Sequence, residues 1–121
     1  MTNQDHTINW ADYGIYDKRD LPTDWVHVLT VNFSLYYQWE ILEAFYSPTA
    51  RRYFWYGDAG CSCRWWGDSL QSEADFQNGD KADLERAIRA FAEEGSTTTE
   101  TVRDALDDLR RFKAPGVRDH D

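Results

Sequence analysis

From Trp25 the chain alternates, with Trp25, His27, Leu29, Val31 and Phe33 on one parity and Val26, Val28 and Thr30 on the other. Aromatic and β-branched residues at this spacing predict a strand with two largely apolar faces. A second run sets Tyr37, Trp39, Ile41 and Phe45 against Gln38 and Glu40. Ser47-Pro48-Thr49-Ala50 follows as a turn, where proline fixes its own backbone angle and donates no ladder bond. Arg51 to Tyr56 returns as a third strand, so residues 36–57 predict a hairpin.

Beyond residue 79 the period changes. Leu84, Ala87, Ile88, Phe91 and Ala92 recur at intervals of three and four behind a capping Asp80, and Gly95 supplies a stop. Thr97 and Glu100 fit a capping box for a second helix striped by Val102, Ala105, Leu106, Leu109 and Phe112, with Pro115-Gly116 ending it. The short connection favours antiparallel neighbours. Strands followed by helices predict an α+β fold, a small antiparallel sheet of three or four strands with the helical pair packed on it. The layout is one domain over 1–121: an N-terminal arm 1–24, the sheet 25–66, a loop 67–79, the helical hairpin 80–114 and a tail 115–121. Trp10, Tyr13, Ile15 and Tyr16 are too apolar for a wholly free arm, whereas Met1 to Asn9 and Val117 to Asp121 are polar and expected to fray.

Charge narrows the choice of partner. Thirteen basic against 22 acidic residues give −9, which opposes attraction to nucleic acid or an anionic membrane. The longest uncharged run, Trp25 to Trp39, carries several polar residues and is shorter than the ~20 apolar residues of a membrane span. The first residues lack a basic region followed by an apolar core, so the expected compartment is cytoplasmic.

The densest chemistry is Gly57-Asp58-Ala59-Gly60-Cys61-Ser62-Cys63. Cys61 and Cys63 could hold one soft metal such as zinc, but a closed site takes four ligands. His6, His27, His120, Asp58 and Asp68 sit at no recognised finger spacing, and a second chain could complete the set. The plainer reading is a tight turn with two partly buried thiols and no cofactor. A cysteine nucleophile would need His27 or His120 as base. Glu40 and Glu43 fall on opposite faces of a strand and should not converge. Glu43, on the more apolar parity, is expected to pair with Arg51 or Arg52. The expectation is that the chain is not an enzyme. Arg51-Arg52-Tyr53-Phe54-Trp55-Tyr56 has the composition of a single-strand stacking platform, yet a strand offers a ligand only one parity.

Binding chemistry is concentrated in two places. Trp65 and Trp66 are consecutive bulky rings that cannot easily share one core pocket, and Arg64 adds a stacking cation. Glu100, Asp104, Asp107 and Asp108 share one face of the second helix, where Asp107 can pair with Arg111.

Tyr37-Gln38-Trp39-Glu40, the hairpin and the Gly60-Cys61-Ser62-Cys63 turn resemble small uncharacterised proteins of actinobacteriophages, over residues 36–66. In those proteins the turn runs into proline and small polar residues; here Arg64-Trp65-Trp66 follows. The resemblance implies a phage protein in the host-cell cytoplasm and carries over no catalytic residue. The expected function is that of a phage accessory protein binding a host or phage protein, with Trp65 and Trp66 as anchors and the acidic helix adding on-rate. Inhibition of a nucleic-acid-handling or defence factor is its sharper version. A metal-binding or thiol-dependent protein, or a minor virion component, is the alternative. The partners leave room for a homo-oligomer.

Overall fold

The computed structural model describes residues 8–35, 37–95 and 97–115. Four strands, β1 (Val26–Leu35), β2 (Gln38–Ser47), β3 (Arg52–Cys61) and β4 (Gln77–Gly79), form an antiparallel meander in the order β1-β2-β3-β4. Helices α1 (Lys81–Glu94) and α2 (Thr99–Arg111) follow, so the α+β fold read from the sequence holds. The hairpin outgrows residues 36–57: β2 and β3 stay paired from Ser47 and Arg52 out to Gln38 and Cys61. The fourth strand lies inside the predicted loop 67–79. It has three residues and no alternation to announce it, and it pairs with Tyr53–Trp55 while Trp55 Nε1 donates to the Gln77 side chain at 2.8 Å.

Both sheet faces are covered. On one side Leu29, Val31, Leu42, Ala44, Tyr46 and Trp55 meet Leu84 and Ile88 of α1 and Ala105, Leu106 and Leu109 of α2. On the other, Trp25, Phe45 and Phe54 meet Ile15 and Leu21 of the arm and Trp66, Leu70 and Phe76 of the segment after β3. The alternation read across β1 breaks here. A register shift between His27 and Leu29 leaves Trp25 and His27 on the arm side and turns Leu29 and Val31 to the helices. Such a bulge inserts one residue and re-aims the side chains beyond it.

The arm docks by its rings. Trp10–Tyr13 form a 3-10 turn capped by Asn9, Ile15 is buried and Tyr16 stays exposed. Ile8 and Asn9, expected to fray, are held: the Ile8 N–H donates to the Thr23 carbonyl at 2.7 Å. Residues 1–7 and 117–121, the remainder of that expectation, lie outside the described residues.

Asp80 caps α1 as expected, its carboxylate accepting from the Asp83 N–H while Asp83 accepts from the Asp80 N–H. The cap of α2 is one residue later than the Thr97–Glu100 box. Thr98 accepts from the Thr101 N–H, and the Thr97 hydroxyl is buried without a hydrogen-bond partner among the described residues. The helices are antiparallel neighbours: Lys81 at the start of α1 donates to the Phe112 carbonyl at the end of α2, 3.2 Å away. α2 stops at Arg111, before Pro115, because Phe112 caps it and turns its ring onto Tyr46 and Tyr53. Gly116 lies outside the described residues. Among the described residues no helix is long and apolar enough to cross a membrane.

Candidate functional site

β3 ends at Cys61 and the chain turns at once, the Arg64 N–H donating to the Cys61 carbonyl at 3.2 Å. Trp39 of β2 lies across this turn, its Nε1 donating to the carbonyls of Cys61 (2.9 Å) and Arg64 (3.1 Å). The Arg64 side chain folds back over Trp39, its guanidinium carbon 5.7 Å from the ring centroid. Asp58 holds it there with two bonds, Nη1 to Oδ1 at 3.0 Å and Nη2 to Oδ2 at 3.1 Å. These bonds to Asp58 push the guanidinium pKa further up, so the cation is permanent. Gly60 makes the closure sterically feasible, since a Cβ there would lie 2.8 Å from the Trp39 ring and 2.9 Å from Arg64 Cγ. The sequence reading placed Trp39 on a strand, weighed Asp58 as a metal ligand and put Gly60 in the turn, and gave none of them a part in shaping a groove; the glycine preceding the Cys-x-Cys pair was the available signal.

Beside the turn lies an open groove of about 300 Å³, lined chiefly by Trp39, Ile41, Arg64, Trp65 and Trp66. The two adjacent tryptophans part company. Trp65 is 58% exposed, whereas Trp66 is 4% exposed and donates its indole N–H to the Tyr56 carbonyl at 3.1 Å. Trp66 therefore belongs to the arm-side core and only floors the groove, correcting the reading of both rings as surface anchors. Successive residues on this irregular turn point apart, and only one can enter the aromatic layer.

Cys61 and Cys63 are joined in a disulfide, not left as two thiols. Closing so short a loop removes little entropy from the unfolded chain. Trp39 and the Asp58–Arg64 pair also hold the turn. Among the described residues no group of three or more His, Cys, Asp or Glu is placed to hold a metal ion. Asp58 is engaged by Arg64, and His27 lies 3.0 Å from Glu43. His6 and His120 are outside the described residues.

The acidic helix is not part of this groove. α2 packs on the opposite sheet face, where Asp107 pairs with Arg110 at 2.7 Å and Asp108 with Arg111 at 3.5 Å, in place of the expected Asp107–Arg111 pair. Glu100 and Asp104 are exposed and make no ion pair among the described residues. The nucleic-acid platform also dissolves: Tyr53, Phe54 and Trp55 are all buried, because both parities of β3 are core.

A second polar cluster sits on the arm side. Glu43 is buried as expected, but its register opposite Thr30 and Tyr56 keeps it from the arginines at the turn. Thr30 Oγ1 donates to Glu43 Oε1 at 2.5 Å, and His27 Nε2 lies 3.0 Å from each of those oxygens. One ring nitrogen thus faces both hydroxyl and carboxylate, which differs from a hydrolytic relay, where the two partners occupy opposite ring nitrogens. Glu40 projects instead toward Gly95, on the other sheet face.

Burial, then the charges of Glu43 and Asp12, push the Tyr13 phenol up to about 12 from 10.0. The unfolded chain ionises first, so this contribution to stability is complete below pH 10.0 and lost as pH rises through about 12. In thermal melts across that window, wild type is expected to lose stability relative to Tyr13→Phe; parallel curves would contradict the assignment.

No curated protein and no solved structure matches the chain. Residues 16–115 match a family described as a domain of unknown function, DUF7574; the match covers all four strands, the groove and both helices, and starts just after Ile15 of the arm. The chain belongs to that family.

Proposed function

We propose that this chain is a non-enzymatic phage accessory protein that binds a host or phage protein through the groove beside Trp65. The observation that carries the reading is a large exposed ring on a groove whose other walls are already fixed. Trp39 is held by its indole N–H, shared between two carbonyls, and Arg64 by a two-point ion pair. A preset wall loses little side-chain freedom on binding, and tryptophan and arginine are enriched among residues that dominate interface energy. The charge of −9 favours a basic partner at long range, such as a nucleic-acid-handling or defence factor. Glu100, Asp104, Asp107 and Asp108 contribute only to that field, since α2 faces away from the groove. The phage context rests on the resemblance over residues 36–66.

Capture from a lysate of phage-infected host cells at low salt, with wild type and Trp65→Ser side by side, tests the reading. A host or phage protein retained by wild type should be lost from the variant, at a cost of about 2 kcal/mol or more in affinity. No retained protein, or equal retention by both, would contradict it.

One observation favours a second reading: Cys61 and the exposed Cys63 lie side by side next to the groove. Reduced, the two thiolates would hold a soft metal such as zinc, with the remaining ligands supplied by another chain. Zinc at about one per chain or one per two chains in reduced protein would support this. Metal-free folding and unchanged partner capture by the Cys61→Ser, Cys63→Ser variant would exclude it.

A further inference from the structure

We propose that the Cys61–Cys63 disulfide is a thiol–disulfide exchange site: external thiols open it by attack at the exposed Cys63, and external disulfides close it again on a turn that keeps its shape.

The bond suits exchange better than support. In the chain-entropy account a disulfide stabilises more as the loop it closes lengthens. This one encloses only Ser62 and ties no second strand or helix to β3. The chain has two cysteines, so a thiol that opens the bond comes from outside, and neither sulfur can pair elsewhere in the same chain. The two sulfurs also differ in access. Cys63 is exposed, whereas Cys61 is the half-buried last residue of β3, set opposite Gln38 in the ladder. Exposed disulfides are the labile ones, and the rate depends on which sulfur an incoming thiolate can reach.

Other contacts shape the same turn without passing through sulfur. The Cys61 carbonyl accepts from the Arg64 N–H at 3.2 Å and from the Trp39 indole at 2.9 Å, and Asp58 grips the Arg64 guanidinium at two points. They bracket the two cysteines, whose Cα atoms lie 5.4 Å apart, within the range a disulfide needs. With the bond open these contacts keep the thiols neighbours, so closure joins groups already in place.

Opening takes two displacements. An external thiolate bonds to Cys63 Sγ while the Cys61–Cys63 bond breaks, and its electron pair leaves on Cys61 Sγ, which takes a proton from water. A second external thiolate attacks the external sulfur of the mixed disulfide and frees Cys63, which is protonated likewise. The chain gains two electrons and two protons, and the two external thiols leave as one disulfide. Closure is the reverse, with a low-molecular-weight disulfide as oxidant. The chemistry is independent of partner capture at Trp65.

The full chain equilibrated with mixtures of reduced and oxidised glutathione, quenched in acid, alkylated and weighed by mass spectrometry tests the proposal. Disulfide and dithiol should reach the same ratio from either starting form, with far-ultraviolet dichroism unchanged. The mixed disulfide, mapped by peptide fragmentation, should sit several-fold more on Cys63 than on Cys61. Cys61→Ser should retain the glutathione on Cys63 that wild type, with its Cys61 thiol free to attack, releases. A bond that survives excess reduced glutathione, a pair that oxidised glutathione does not close, or dichroism lost on reduction would each overturn the proposal. An adduct chiefly on Cys61, or equal adduct lifetimes in wild type and variant, would do the same. If the variant fails to fold, the wild-type readings decide.

Discussion

Trp25→Ala is expected to cost about 3–5 kcal/mol of stability, the range for removing a large buried aromatic. Trp25 is 1% exposed at the centre of the arm-side layer. It stacks on Phe54 with centroids 4.6 Å apart and meets Phe76 edge-on at 4.9 Å and Phe45 at 5.6 Å. With the Trp10 ring at 6.1 Å, alanine would remove four ring contacts at once, and Phe45 and Phe54, held on strands, can close the space only in part. Chains of this size have about 5–15 kcal/mol of net stability, so the variant should lie near the edge of folding. The urea midpoint read by fluorescence measures the effect. A loss below about 1 kcal/mol would show that this face is a loosely draped arm and not a second core.

Trp66→Ala and Trp65→Ala should give opposite results, although the residues are identical and adjacent. Trp66 is buried against Tyr56, with ring centroids 5.8 Å apart, and its indole satisfies the Tyr56 carbonyl on the open edge of β3. Its removal should cost about 3–5 kcal/mol, by a lost ring and a newly unpaired carbonyl. Trp65 is mostly in solvent, and its removal should stay within about 0.5 kcal/mol. Paired urea curves make the comparison, and equal losses would contradict the division of roles between them.

The elements that were legible in the sequence are those specified locally. Asp80, Leu84 and Ile88 announce α1 because cap and stripe lie within a few turns of one another, and Ser47-Pro48 announces the hairpin. β4 was hidden because three polar residues become a strand only when Tyr53–Trp55 offer them an edge. The bulge after His27 was hidden for a similar reason. It depends on the register against β2, and it decides which face Trp25 and Leu29 enter. The α2 cap slipped by one residue because Thr97, Thr98 and Thr99 all carry suitable hydroxyls. Composition marked Arg64 and Trp65 as binding residues, but the parts that shape the groove come from two strands. Trp39 reaches in from β2, Asp58 from within β3, and Gly60 clears the space between them. No spacing rule links Trp39 to the local set of Asp58, Gly60 and Arg64, because only the β2–β3 register sets it opposite Gly60.

Oxidative footprinting of the tryptophans by mass spectrometry, on the free chain and on its captured complex, tests the central claim most directly. Trp65 should label readily in the free chain and become protected in the complex, with Trp66 unlabelled in both. Trp65 labelling at the same rate in the complex, or Trp66 labelling as fast as Trp65 in the free chain, would contradict the groove as the binding surface.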